Sequence, residues 1–212
     1  METDRLIEAL AADAEIRQPR IGTTLTWALL LALPVSAVLF MLVLGVRSDV
    51  RTAMHNPFFD LKFLVTLALA FSAIAVSLHL ARPEASFKRW SWLLAIPAAM
   101  VGLGIVAEMM MPHERPWLTR LIGNNAMSCM MSIPLFSAPV LVAALLALRR
   151  GAPARPELAG AVAGLLAAGL GATLYAAHCA DDSPLFVAVW YSIAVAIVAG
   201  VGAIAGRHML RY

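Results

Sequence analysis

Long apolar runs separated by short polar stretches fill most of the chain. They cover residues 21–46, 63–81, 90–111, 121–148, 158–177 and 183–206, the third interrupted by Glu108 near its end. About 20 predominantly apolar residues, rising 1.5 Å each as helix, cross the hydrocarbon core of a bilayer. Each run meets or approaches that length. The pattern therefore predicts an all-α, polytopic integral membrane protein, a bundle of six transmembrane helices over residues 21–212. The connections are too short to hold a soluble domain of ordinary size. The first run is too long for the apolar region of a signal peptide, and no A-x-A-like site precedes "RSDVR", so it is expected to be retained.

Residues 1–20, "METDRLIEALAADAEIRQPR", break the pattern and form a separate segment. Thr3 can cap a short helix with Asp4 in its first turn. Leu6, Ile7, Leu10 and Ala14 then share one face at helical spacing, and Pro19 ends the helix before the membrane. Through Glu15 the segment carries Glu2, Asp4, Glu8, Asp13 and Glu15 against Arg5 alone. Helices that lie on a membrane usually present Lys and Arg to anionic lipid. An acidic amphipathic helix fits a groove on a basic partner better, with Asp4, Leu6, Ile7 and Leu10 as the expected contacts. A solvated tail remains the alternative.

Inside the runs, Pro34, Pro97, Pro134 and Pro139 each remove a backbone donor and are expected to interrupt the first, third and fourth spans. The fifth and sixth carry "GAVAG" (Gly160, Gly164) and "GAIAG" (Gly202, Gly206). Small residues four apart lie on one helix face and let two backbones approach closely, so these motifs are expected to meet.

Composition agrees with the pattern. Of the 212 residues, 61% are hydrophobic and 14% charged, where soluble proteins carry about 25% charged residues. Charge adds an orientation. With the N-terminus inside, Arg5, Arg17, Arg20, Arg82, Lys88, Arg89, Arg149, Arg150, Arg155, Arg207 and Arg211 face the cytoplasm, leaving Arg47, Arg51, Lys62, Arg115 and Arg120 outside. Short loops rich in Lys and Arg stay cytoplasmic, so both termini are expected there. The net charge of +3 then reflects topology, and no basic stripe suggests direct nucleic-acid binding.

That orientation puts "HCADDSPLF" (178–186) in an exposed outer turn, with Cys179 accessible, and places Cys129 near the same face. No Asp, Glu, Lys or Arg falls near the middle of a run, which weighs against a small transporter or metal-efflux component. HExxH, GxSxG and P-loop motifs are absent, so no enzyme and no required cofactor are expected. The concentrated chemistry is sulfur: Cys129 and Cys179, with Met109, Met110, Met111, Met127, Met130 and Met131 nearby in sequence. His178, Asp181, Asp182 and His113 are candidate accessories to it. A redox-active or structural thiol pair, a transient heavy-metal site at Cys129 and Cys179, and two packing cysteines all remain open. Asp181 and Asp182 can also cap the sixth span, with Ser183 and Pro184 at its first turn.

The segments "TDRLIEALAAD", "NPFFDLKF", "IPLFSAPVLVAALLALRRGAP" and "HCADDSPLFVAVWYSIAVAIVAGVGAIAGRHMLRY" resemble the NrsF-like proteins, bacterial inner-membrane anti-sigma factors described as negative regulators of sigma-F. The resemblance covers essentially the whole chain. It implies a six-span protein that holds an extracytoplasmic-function sigma factor at the membrane through residues 1–20. It also implies stress sensing through Cys129 and Cys179, with an oxidant or heavy metal as the signal.

Overall fold

The computed structural model describes Thr3, Arg5 and residues 21–81, 90–112, 115–151 and 153–210. Asp4, Leu6, Ile7 and Leu10 of the expected N-terminal helix lie outside these residues, as does His113. Among the described residues there are no strands, and six helices are long and apolar enough to cross a membrane.

The first, α1 (Ile21–Val43), contains Pro34 and buries only Leu25, Ala32, Ser36 and Phe40, a stripe at spacings of seven and four that rests on α4 (Ala126–Leu148). Gly45, at φ 69°, turns the chain out of α1. The next span, α2 (Pro57–Leu80), starts six residues before the apolar run does. Asn56 accepts a hydrogen bond from the Phe58 amide and Pro57 occupies the first turn, the pairing that suits a helix start. Its Lys62, counted above with the outer basic residues, is 1% exposed, and the helix runs through it rather than a loop.

A 3-10 turn, Ser91–Leu94, leads into α3 (Ala95–Met110), which packs on α2. Pro97 sits in the first turn of α3, where its missing N–H costs little, so it does not interrupt the span as expected. The fourth run is broken instead. A short helix, Trp117–Ile122, ends at Gly123, and α4 begins three residues later with Pro134 and Pro139 inside it. Gly123 has φ 60°, and a Cβ there would lie 2.9 Å from Asp181 Cγ, so the turn needs glycine on both counts.

The centre of the bundle is α5 (Pro156–Ala176), which packs against α2, α4 and α6 (Ser192–Met209). The sixth span enters through Pro184–Phe186 and a π-helical turn, Val187–Tyr191. The two glycine motifs meet as expected. A Cβ on Gly160 would collide with the Gly202 carbonyl oxygen, one on Gly164 would lie 2.6 Å from the Val198 oxygen, and one on Gly206 would lie 2.6 Å from the Pro156 oxygen. Glycine lines α5 elsewhere too: a Cβ on Gly169 would lie 2.7 Å from the Ala70 nitrogen, and Gly171 abuts Ser137. Close backbone contact through small residues is the packing by which helices associate in a bilayer, where no hydrophobic drive acts between them.

Two buried clusters result. One, near Leu80, Leu148 and Leu210, fills the end where α1 begins. The other, around Cys129, Phe136, Tyr175, Cys179 and Phe186, fills the opposite end.

Candidate functional site

At the Cys179 end the loops fold inward around a buried lysine. An ammonium group removed from water needs an acceptor for each N–H. Lys62 Nζ donates to Asp182 Oδ1 (2.6 Å), the Cys179 carbonyl (3.0 Å) and the Asp181 carbonyl (3.4 Å). Arg47 reaches the same groups from the α1–α2 connection. Its Nη1 donates to the Cys179 carbonyl and to Asp182 Oδ1, both at 3.2 Å. Its Nε and Nη2 grip Asp49 at 2.7 Å each and hold that exposed carboxyl below its ordinary value. Both cations stand over the ring of Phe59. Asp182 thus bridges two cations, and the Cys179 carbonyl accepts from both.

Glu108, 1% exposed, forms a second knot. Its Oε1 accepts from Arg120 Nη1 and Ser183 Oγ, each at 2.7 Å, and its Oε2 accepts from the Leu185 amide at 3.4 Å. This ties α3, the short helix Trp117–Ile122 and the start of the sixth span together. Asp181 Oδ2 accepts from the Asn124 and Asn125 amides and from Asn125 Nδ2 at 2.9–3.0 Å. Ser183, as expected near the start of the sixth span, caps it through the Leu185 amide. The two aspartates are not its caps: Asp181 binds the turn before α4, and Asp182 binds Lys62 of α2 and Arg47. An open cleft of about 520 Å³ lies over these groups, lined in part by Glu108, Arg120, Asn124, Asp181 and Asp182.

The structure brings Cys129 and Cys179 into one buried cluster, but not at an exposed turn. Both are free and 0% exposed, which corrects the expectation of an accessible Cys179. The cause is the clamp on its carbonyl, which pulls residue 179 in over Tyr175 and Tyr191. His178 is turned elsewhere, its Nδ1 3.0 Å from the Gly45 carbonyl, so it is not positioned to take the Cys179 proton. Most of the methionines do not converge on the thiols either: Met110, Met127 and Met131 are 82%, 73% and 68% exposed, and Met109 and Met111 about half. Among the described residues no three His, Cys, Asp or Glu side chains stand ready to hold a metal ion.

Burial raises the Cys179 pKa, with Lys62 opposing, so the resting group is the thiol. The folded state keeps that proton past the point, about pH 8.5, at which an unfolded cysteine loses it. The thiol's contribution is therefore fully present below about pH 8.5 and lost as pH rises above it. Maleimide should label both thiols about 100-fold more slowly in the folded protein than in SDS, corresponding to a local opening of about 3 kcal/mol. Equal rates would contradict the burial.

Sequence reasoning missed Lys62, Arg47, Glu108, Arg120 and Asn125 as members of the site. The available signal was complementary: two basic residues flanking one loop, two acids in another, and an acid in an otherwise apolar run.

A family model described as "Negative regulator of sigma F" (NrsF) matches residues 10–212. Over 221 positions the chain is 37% identical to a protein of Caulobacter vibrioides named anti-sigma-F factor NrsF, with all of both chains covered. Over the same span and coverage it is 33% identical to a probable anti-sigma-F factor NrsF of Azospira oryzae. No solved structure matches significantly.

Proposed function

The chain belongs to the NrsF family of negative regulators of sigma F, and from that premise we propose an inner-membrane anti-sigma factor that frees its partner when Cys129 and Cys179 react. Its role is regulatory rather than catalytic. The partner is an extracytoplasmic-function sigma factor, held by the acidic segment 1–20 through Asp4, Leu6, Ile7 and Leu10. Both termini are cytoplasmic, in keeping with the eleven basic residues assigned to that side and five to the other. The Cys179 end then faces the periplasm.

One observation carries the sensing half of this reading. The backbone of Cys179 is the shared acceptor of Lys62 and Arg47, so a change at its thiol pulls directly on the ion cluster joining the helices. An oxidant that accepts two electrons and two protons converts the two thiols to a disulfide. A soft metal ion instead binds the thiolates and displaces their protons. In this reading either product shifts residue 179, and with it the loop, into a second arrangement. The two arrangements must differ in affinity for the sigma factor if the signal is to release it.

The test is co-purification of the sigma factor from solubilised membranes, with and without cadmium. Wild type should release it on cadmium, and the Cys129→Ala/Cys179→Ala double variant should retain it. Alanine is chosen because a serine hydroxyl at either 0% exposed position would need a partner. Leu10→Asp should weaken capture about thirtyfold without cadmium. Cadmium release from the double variant would reduce the cysteines to packing residues. Undiminished capture by Leu10→Asp would move the contact away from residues 1–20.

A further inference from the structure

On the outer surface of the bundle, α1 and α4 part to leave a groove of about 680 Å³. Its chemistry is graded along its length. At one end Thr23, Thr24 and Arg150 form a polar lip, with the exposed Arg149 beside Arg150. That lip is continuous, because the start of α1 and the end of α4 adjoin: Gly151 lies against Ile21. Trp27, 63% exposed, stands one turn further in, at the level where aromatic side chains mark a membrane interface. Beyond it the groove is apolar. Ala28, Ala32, Ala143 and Ala147 make a recessed floor, while Leu31 and Leu146 rise beside it, 72% and 51% exposed.

We propose that this groove binds one anionic phospholipid, its phosphate at Arg150, Thr23 and Thr24 and one acyl chain along the alanine floor. The charge of the lip selects the headgroup. A guanidinium and two hydroxyls suit a phosphate oxygen, and basic pockets between membrane helices at the cytoplasmic side take anionic lipid. The shape selects the chain. Helices that associate in membranes meet where small residues let the two backbones approach closely. Here the small residues lie at the bottom of a furrow, and a helix about 10 Å across with its side chains meets the leucine and tryptophan rims first. A single acyl chain is narrower and reaches the floor. The lipid would sit beside Ile21, where the chain enters the membrane from segment 1–20.

The full chain, reconstituted in nanodiscs of equal phosphatidylglycerol and phosphatidylcholine, is extracted and weighed by native mass spectrometry. One retained phosphatidylglycerol per chain is expected, at roughly fivefold preference over phosphatidylcholine, the usual effect of one arginine near an anionic headgroup. Arg150→Ala should bring the preference below about twofold. Ala143→Trp should remove retention by filling the floor, and Ala28→Phe blocks the same floor should Ala143→Trp fail to fold. Equal retention of both lipids, or retention unchanged by a filled floor, overturns the proposal. So does a dimer that the filled floor abolishes, which would give the groove to a second copy of the chain.

Discussion

Asp182→Ala is expected to destabilise the solubilised protein by about 3–5 kcal/mol, the usual result of removing one partner from a buried ion pair. Lys62 is 1% exposed and its shortest bond, 2.6 Å, goes to Asp182. Without that carboxylate, two carbonyls must hold a full charge away from water. Arg47 suffers less, because Asp49 remains bound to it. For a chain of this size the loss corresponds to roughly 10 °C in midpoint temperature, readable by thermal unfolding in mild detergent. The Lys62→Met/Asp182→Leu double variant should recover most of it, since an apolar pair of similar volume leaves no orphaned charge. A change below about 0.5 kcal/mol in Asp182→Ala would mean that the cluster does not hold the loops. If the Cys179 loop carries the signal, Asp182→Ala should also release the sigma factor without one.

The second large effect belongs to the helix pair α5–α6. Gly160→Leu should cost about 3 kcal/mol, at the upper end of overpacking penalties. The added Cβ meets the Gly202 carbonyl oxygen and comes within 2.8 Å of Gly206 Cα. Both are backbone, and neither can swing aside as a side chain does. Gly200→Leu is the control: it lies in the same helix as Gly202, with nothing within 4 Å of its Cβ position, and is expected to be neutral or mildly stabilising because leucine is the better helix former. Equal unfolding curves for the two variants would remove the glycine contact as a source of stability.

The glycine contact was legible in the sequence because its signal is local. Residues four apart share a helix face whatever surrounds them, so two such motifs on neighbouring spans point at each other. The six spans were legible for the same reason, since length and apolarity are properties of each segment alone. The site was legible only in part. "HCADDSPLF" marked the right loop, but reading its residues as exposed followed from treating every connection as solvated. Taking Lys62 for a loop residue made the same error. What draws it inward is Asp182, 120 positions later, and no local pattern announces a pairing at that distance. Nor did the apolar run over 183–206 give any sign of the π-helical turn at Val187–Tyr191, because the residues on every side of it are apolar.

The central position of α5 has a bearing on how the protein is made. Of the six spans it is the least apolar and the most enclosed by its neighbours, yet it is fifth to leave the ribosome. Before it arrives, α1 has α4 and α3 has α2, but α2 and α4 pack chiefly against α5 rather than each other. A nascent chain that has reached Arg150 therefore holds two separate helix pairs. They become one body only when α5 enters with its glycines, most readily as a hairpin with α6, so the last third of translation does the joining.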